Sequence, residues 1–257
     1  MILILGGTLE GREIADAVAR LGFKALVTVV SGYGAEMIPQ NTPVEVLVGR
    51  LDALELEQLI RDRGIQLIVD ATHPYAYVIT ETAWKTAQAN CIPYIRYERP
   101  PVSNETNDPG VYRVKSYGEA AELSTTLGET VFLTIGSKNL EPFLKAGKVR
   151  GSRVVARVLP DSKVLEQCSA LGIASRDIIA VQGPFSLEMN LAMLREYGAG
   201  VLVTKDSGHT GGTDTKLAAA ARLNIPVVIV SRPESGNGPV TDNIPEILEL
   251  VKKMISK

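Results

Sequence analysis

The sequence predicts an α/β protein of two domains, 1–110 and 111–257, each a parallel sheet wrapped by helices, with a cleft between them. Three observations predict it. Short apolar runs without alternation, beginning with Ile2-Leu3-Ile4-Leu5, read as strands buried on both faces, the habit of a parallel sheet. Segments with apolar residues at helical spacing separate these runs, and strictly alternating strands and helices fold into sheets covered on both sides. Midway, Glu98 to Gly110 carries Arg-Pro-Pro, Ser-Asn-Glu-Thr-Asn and Asp-Pro-Gly with no apolar period, which marks a connector.

The elements follow in order. Ile2–Leu5 runs into Gly6-Gly7-Thr8-Leu9-Glu10-Gly11-Arg12, and a helix from Glu10 to Leu21 sets Ile14, Ala15, Val18 and Ala19 on one face. Lys24 to Val30 is a second strand, ending in a turn, Ser31-Gly32-Tyr33-Gly34. Val44 to Val48 is a third, closed by Gly49-Arg50, and Asp52 to Arg63 is an amphipathic helix. Gln66 to Asp70 is a fourth strand, leading into Ala71-Thr72-His73-Pro74-Tyr75-Ala76. Pro74 suits the first turn of a helix, where a missing N–H costs nothing, and that helix reaches Ala89. Pro93 to Tyr97 is a fifth strand. Beyond the connector, strands are expected at 131–135, 153–158, 178–182, 200–204 and 227–230, with helices between them and a last helix over 243–255.

Composition narrows the function. The chain has 257 residues, 45% hydrophobic and 22% charged, which suits a globular protein with a substantial core. A formal net charge of −2 argues against nonspecific nucleic-acid binding, which needs a basic surface. No apolar run reaches the ~20 residues of a membrane span, and the chain opens directly into a core strand without a leader pattern. Cys91 and Cys168 match no metal or redox spacing. The expectation is a cytoplasmic protein with reduced cysteines and no metal, working as a monomer or small homo-oligomer.

The polar residues cluster where strands end, and ligands of open parallel sheets bind beyond those carboxyl ends. In the first half the clusters are Gly6-Gly7-Thr8, Ser31-Gly32-Tyr33, Gly49-Arg50, Thr72-His73-Pro74 and Arg96-Tyr97-Glu98-Arg99. In the second they are Gly136-Ser137-Lys138, Gln182-Gly183-Pro184-Phe185-Ser186 and Lys205-Asp206-Ser207-Gly208-His209. Strand, glycine turn and helix together present backbone N–H groups and a positive helix end to a phosphate. The dinucleotide fingerprint asks for glycines at its first, third and sixth places. Gly6 and Gly11 fill the outer two, Thr8 takes the middle with Gly7 beside it, and the Thr8 hydroxyl is a potential donor to phosphate. An NAD site places a carboxylate at the end of the second strand. Here Ser31 and Tyr33 stand there, with no acidic residue before Glu36, which favours NADP. Arg12 or Arg50 would add charge for its 2′-phosphate.

Taken as a set, these motifs resemble the precorrin-6A and cobalt-precorrin-6A reductase family of cobalamin biosynthesis. The matching residues are Gly6-Gly7-Thr8-x-Glu10-Gly11-Arg12, Gly49-Arg50, Asp70-Ala71-Thr72-His73-Pro74-Tyr75-Ala76 and Arg96-Tyr97-Glu98-Arg99-Pro100. They continue through Gly136-Ser137, Gln182-Gly183-Pro184-Phe185-Ser186, Lys205-Asp206-Ser207-Gly208, Lys216 and Arg232-Pro233, covering almost the whole chain. The resemblance implies two Rossmann-like domains, a nicotinamide nucleotide in the cleft, and reduction of one double bond of a ring-contracted tetrapyrrole to the precorrin-6B level. NADPH is the expected cofactor, with NADH as the alternative. Expected cofactor contacts are Gly6, Gly7, Thr8, Glu10, Gly11, Ser31, Tyr33, Gly49, Arg50, Thr72 and Pro74. Expected substrate contacts are Gly136, Ser137, Gly183, Pro184, Phe185, Ser186, Lys205, Ser207, Gly208 and Lys216, with His73 and Asp206 as candidate catalytic groups.

The chemistry needs neither metal nor nucleophile, because a conjugated macrocycle accepts hydride into its own π-system. The protein must align the reactants, exclude water and supply one proton. The macrocycle's carboxylates call for cations, and Arg96, Arg99, Lys138, Arg157, Lys205 and Lys216 are available. Lys216 near a helix start sits against the dipole, which invites an anionic partner. Asp70 reads as a structural acceptor, and Lys205-Asp206, at a strand end followed by Ser-Gly and a Gly211-Gly212 turn, reads as a ligand loop rather than an ordinary exposed ion pair. Two other readings fit the residues: a different NADP-dependent oxidoreductase or epimerase of small molecules, or a non-catalytic two-domain anion-binding protein. No Tyr-x-x-x-Lys pair on a helix supports the former.

Overall fold

The computed structural model describes residues 1–30, 32–38, 43–101, 110–208, 210–233 and 238–255. The chain divides into two compact units, Met1–Pro100 with Pro233–Lys257, and Pro101–Arg232.

The first unit runs β1 (Ile2–Leu5), α1 (Leu9–Arg20), β2 (Ala25–Val29), α2 (Gly32–Glu36), β3 (Glu45–Val48), α3 (Ala53–Arg63), β4 (Leu67–Asp70), α4 (Tyr77–Ala89) and β5 (Tyr94–Tyr97). Its strands lie in the order β3-β2-β1-β4-β5, all parallel, and a two-residue strand from the far end of the chain, Val240–Thr241, pairs with β5 at the edge. The central strand β1 explains its own sequence. Ile2 and Ile4 pack with Ile14, Val18, Ile247 and Val251 on one face. Leu3 and Leu5 pack with Leu56, Ile60, Ala83 and Ala87 on the other. A strand covered on both faces has no place for alternation.

The second unit runs β6 (Val111–Val114), α5 (Tyr117–Leu127), β7 (Thr130–Leu133), α6 (Glu141–Arg150), β8 (Arg153–Val158), α7 (Ser162–Ala170), β9 (Ile178–Ala180), α8 (Leu187–Glu196), β10 (Val201–Lys205), α9 (Thr213–Arg222) and β11 (Val227–Val230). Its sheet is again parallel, in the order β9-β8-β7-β10-β11-β6. The chain then closes with β12 (Val240–Thr241) and α10 (Ile244–Ile255). In each sheet the strand order reverses at one strand, β1 in the first and β7 in the second. The crevice beside such a reversal is where open α/β sheets bind ligands.

The expected boundary at 110 and 111–257 as one domain need correcting, because the chain's last segment returns to the first unit. Ile247 and Val251 of α10 are fully buried in the first core beside α1. A two-residue strand leaves no apolar run to read, and β6 was missed for a related reason: its pattern is half exposed throughout. Two further readings change. Residues 32–36 form a short helix rather than a turn. Pro74 lies ahead of α4, not in its first turn, because Ala76 N–H bonds back to the His73 carbonyl and starts the helix at Tyr77. Ser31, His209 and most of the expected connector, 102–109, lie outside the described residues, as does the side chain of Tyr33.

Candidate functional site

At the carboxyl end of β1 the glycines answer to local geometry. Gly7 has φ +108°, a region that only glycine enters freely, and nothing lies within 4 Å of where its Cβ would stand. A Cβ on Gly11 would meet Gly6 Cα at 3.3 Å and Ala71 Cβ at 3.4 Å, so this glycine lets α1 close on the strand ends. Thr8 caps α1: its Oγ1 accepts from Gly11 N–H at 3.0 Å and donates to the Ala71 carbonyl at 2.8 Å. A hydroxyl has one proton, so the expected donation from Thr8 to a phosphate is corrected; Thr8 instead ties the β1 turn to the β4 turn. Glu10 is buried and ion-paired with Arg99 at 3.0 Å. Thr8, Glu10, Thr72, Pro74 and Arg99 line a small, partly open pocket. Gly49 closes β3 with its N–H on the Val29 carbonyl, and Arg50 is exposed.

Beneath this edge lies a buried charge network. Asp70, 0% exposed, accepts from Tyr94 Oη and Arg96 Nη1, both at 2.8 Å, and from Thr72 N–H and Oγ1 at 3.0 and 2.7 Å. Arg96 also donates to Glu98 at 2.8 Å and Thr80 at 2.6 Å. Burial works against the Arg96 charge, but Asp70 and Glu98 outweigh it and hold the guanidinium above its usual range. Burial, then the Asp70 charge, holds the Tyr94 hydroxyl well above the phenol range. Asp70 is thus the structural acceptor expected. Arg96 and Arg99 were among the cations available to the substrate's carboxylates; both are engaged by carboxylates of their own unit.

His73 stands in the turn between β4 and α4. Its Nδ1 accepts from Tyr75 N–H at 3.2 Å, so the neutral ring carries its proton at Nε2, and the Tyr75 ring lies 5.7 Å away, centre to centre. Thr72 belongs to the Asp70 network rather than standing clear of it.

The second unit assembles a different edge. Lys205 ends β10, Arg157 lies near the end of β8, and Lys216 sits in the first turns of α9. Lys216 is 8% exposed and donates to Thr204 Oγ1 at 3.3 Å. Burial pushes its ammonium down to about 7, helped by the charges of Arg157 and Lys205 and opposed by Asp214 and Asp206. Burial, then Lys138, pushes Lys205 down to about 8. Arg157 is pushed down by burial to about 10 and keeps its charge at neutral pH. Its guanidinium lies 4.9 Å over the Phe185 ring and donates to Asn190 Oδ1 at 2.9 Å. Cations gathered at the end of a sheet, pressing on one another's charge, are an arrangement that an anion would relieve.

The loops around these cations are tightly fixed. Pro184 follows a cis peptide, and a Cβ on Gly212 would meet it at 3.2 Å. The Ser186 hydroxyl caps α8 by accepting from Met189 N–H. Ser207 and Gly208 are buried in the turn before α9, where Ser207 N–H donates to Thr213 Oγ1. Gly136, at φ +79°, turns the chain after β7, and the Ser137 carbonyl accepts from Gln167. Asp206 was expected to act in catalysis. It is buried, with Arg113 at 3.2 Å and Arg232 at 3.7 Å on its carboxylate, while Arg232 Nε donates to its carbonyl at 2.8 Å. That arrangement anchors the loop. Lys205 and Lys216, both expected at the substrate, lie near enough for their charges to act on one another, while Thr204, Asn190 and Arg113 were overlooked; a polar residue inside an apolar strand or helix face was the available signal. No His, Cys, Asp or Glu group suited to a metal occurs among the described residues.

Comparison with known proteins fits this geometry. The model of the family described as precorrin-6x reductase CbiJ/CobK matches residues 1–252. The chain is 37% identical to the cobalt-precorrin-6A reductase of Priestia megaterium, over 96% of each chain. It is 36% identical to that of Methanothermobacter thermautotrophicus, over 99% of this chain and 84% of the relative. It is 33% identical to the precorrin-6A reductase of Rhodococcus erythropolis, over 96% and 94%. The solved structure of CobK precorrin-6A reductase superposes with a TM-score of 0.80 over 99% of this chain and 96% of that one, at 23% identity, which supports the fold.

Proposed function

The chain belongs to the precorrin-6x reductase family, and on that premise we propose how its residues divide the work. The protein is an oxidoreductase acting on a CH–CH group, with a nicotinamide cofactor. It reduces one double bond of the precorrin-6A or cobalt-precorrin-6A macrocycle to the 6B level in cobalamin biosynthesis.

One observation carries the assignment of parts. The buried arginines at the end of the first sheet are matched by carboxylates, whereas Arg157 and Lys216 of the second unit have neutral partners. The second edge therefore receives the polyanionic macrocycle, with Arg157, Lys205 and Lys216 on its carboxylates and Phe185 as an apolar wall. The first edge receives the nucleotide. Its fit rests on the open space at Gly7 and on the start of α1 just beyond it, because the first N–H groups of a helix lack acceptors within the helix and suit a phosphate.

When bound, the cofactor supplies a hydride. The chain holds the macrocycle, excludes water and supports proton delivery to the adjacent carbon. His73, protonated at Nε2 in its neutral form, assists that delivery, and Asp206 anchors the loop that presents Lys205. Because the π-system of the macrocycle takes up the charge, no side chain is indispensable to the hydride step. NADPH is the preferred cofactor: from Val30 to Ala35 there is no carboxylate to repel a 2′-phosphate. Calorimetric titration of the purified protein tests this, with tighter binding of NADPH than NADH expected; equal or reversed affinities would remove the 2′-phosphate argument.

A further inference from the structure

Buried guanidinium groups normally sit against carboxylates, since an unmatched charge in a low-dielectric site is costly. This chain follows the rule at the buried Arg96 with Asp70 and Arg99 with Glu10, and at the half-buried Arg113 with Asp206. Arg157, half-buried, departs from it. Its Nη1 donates at 2.9 Å to the amide oxygen of Asn190, which is 3% exposed on the inner face of α8. The Asn190 Nδ2 donates in turn to the carbonyls of Phe185 and Ser186, at 3.2 and 2.9 Å. Phe185 is the ring over which the Arg157 guanidinium lies. One side chain thus fixes the cation and the loop beneath it, yet adds no negative charge.

We propose that Asn190 is a positioning and specificity-determining residue: its amide aims the Arg157 guanidinium at a substrate carboxylate while leaving the positive charge uncompensated. An aspartate of nearly the same shape would hold Arg157 as firmly and cancel the charge that recognises the anion. Neutral substrates would lose nothing by that exchange; a polycarboxylate would. The inference rests on the reading of the Arg157–Lys205–Lys216 edge as the substrate site.

The test is equilibrium binding of precorrin-6A to the full chain at several salt concentrations, with melting curves for every variant. Asn190→Asp is expected to weaken binding at least tenfold at low salt and to flatten its salt dependence, because one cation no longer contributes. Asn190→Leu, which removes the amide without adding charge, is expected to weaken binding several-fold and keep the wild-type salt dependence. Wild-type affinity in Asn190→Leu overturns the proposal whatever the aspartate variant does. So does an unchanged salt dependence in Asn190→Asp. Arg157→Gln separates the two levels: if it binds precorrin-6A as the wild type does, the substrate-site reading itself fails, whereas a weakened Arg157→Gln beside an unaffected Asn190→Asp sinks only the role of Asn190.

Discussion

Lys216 Nζ lies 3.3 Å from the hydroxyl of Thr204 and takes no carboxylate partner among the described residues. Burial and the charges of Arg157 and Lys205 lower this ammonium to about 7, well under the ordinary 10.5. A substrate carboxylate beside it would raise the value again, so binding above neutrality takes up a proton. Precorrin-6A affinity should therefore fall as the pH is raised from about 7 to about 9. Calorimetry in buffers of different ionisation enthalpy should show proton uptake at about pH 8, reduced in Lys216→Met to the share that Lys205 takes up. The same group predicts a stability effect. Its folded value lies below its unfolded value, so its cost to folding is full below about pH 7 and fades as pH rises toward the unfolded value. Lys216→Met should raise the melting temperature most in mild acid and little in strong base.

The Asp70–Arg96 pair makes the opposite prediction. Here the charges are matched, and Tyr94, Thr72, Thr80 and Glu98 satisfy the remaining donors and acceptors. Arg96→Leu leaves Asp70 buried beside a void of charge, and breaking such a pair from one side costs about 3–5 kcal/mol. Urea unfolding of the variant should show that loss. A change within about 0.5 kcal/mol, the range of an ordinary surface substitution, would contradict it.

Much of this architecture was legible in the residues. Ile2–Leu5 announced a strand buried on both faces, and Arg153–Val158 and Val227–Val230 stand where the apolar runs put them. The Lys205–Lys216 pairing was readable because a strand end and a helix start converge by topology. What the sequence did not reveal was set by tertiary pairing. Val240–Thr241 is too short to carry a pattern, yet it joins β5 and brings α10 home to the first core. Arg96 and Arg99 looked like substrate cations because their partners, Asp70 and Glu10, lie 26 and 89 residues away. Asn190 looked like any polar residue on a helix, since only the folded chain sets it against Arg157.

His73 should prove helpful and dispensable. General acid catalysis is typically worth about 10²–10⁴-fold, so loss of an obligatory donor would leave little turnover. His73→Ala is expected to slow single-turnover reduction with precorrin-6A while leaving product detectable. A variant that binds cofactor and substrate normally but forms no product would instead make His73 the essential donor.

The central claim is that this chain delivers hydride from a nicotinamide cofactor to the precorrin-6A macrocycle. Stereospecifically deuterated NADPH, prepared with the label on either face of C4, tests it directly, with mass spectrometry of the tetrapyrrole after reaction with the purified protein. One of the two cofactors should pass a single deuterium to the product and the other none, with the remaining new hydrogen drawn from solvent. Product lacking deuterium from both cofactors, or oxidation of NADPH without reduced macrocycle, would contradict the account.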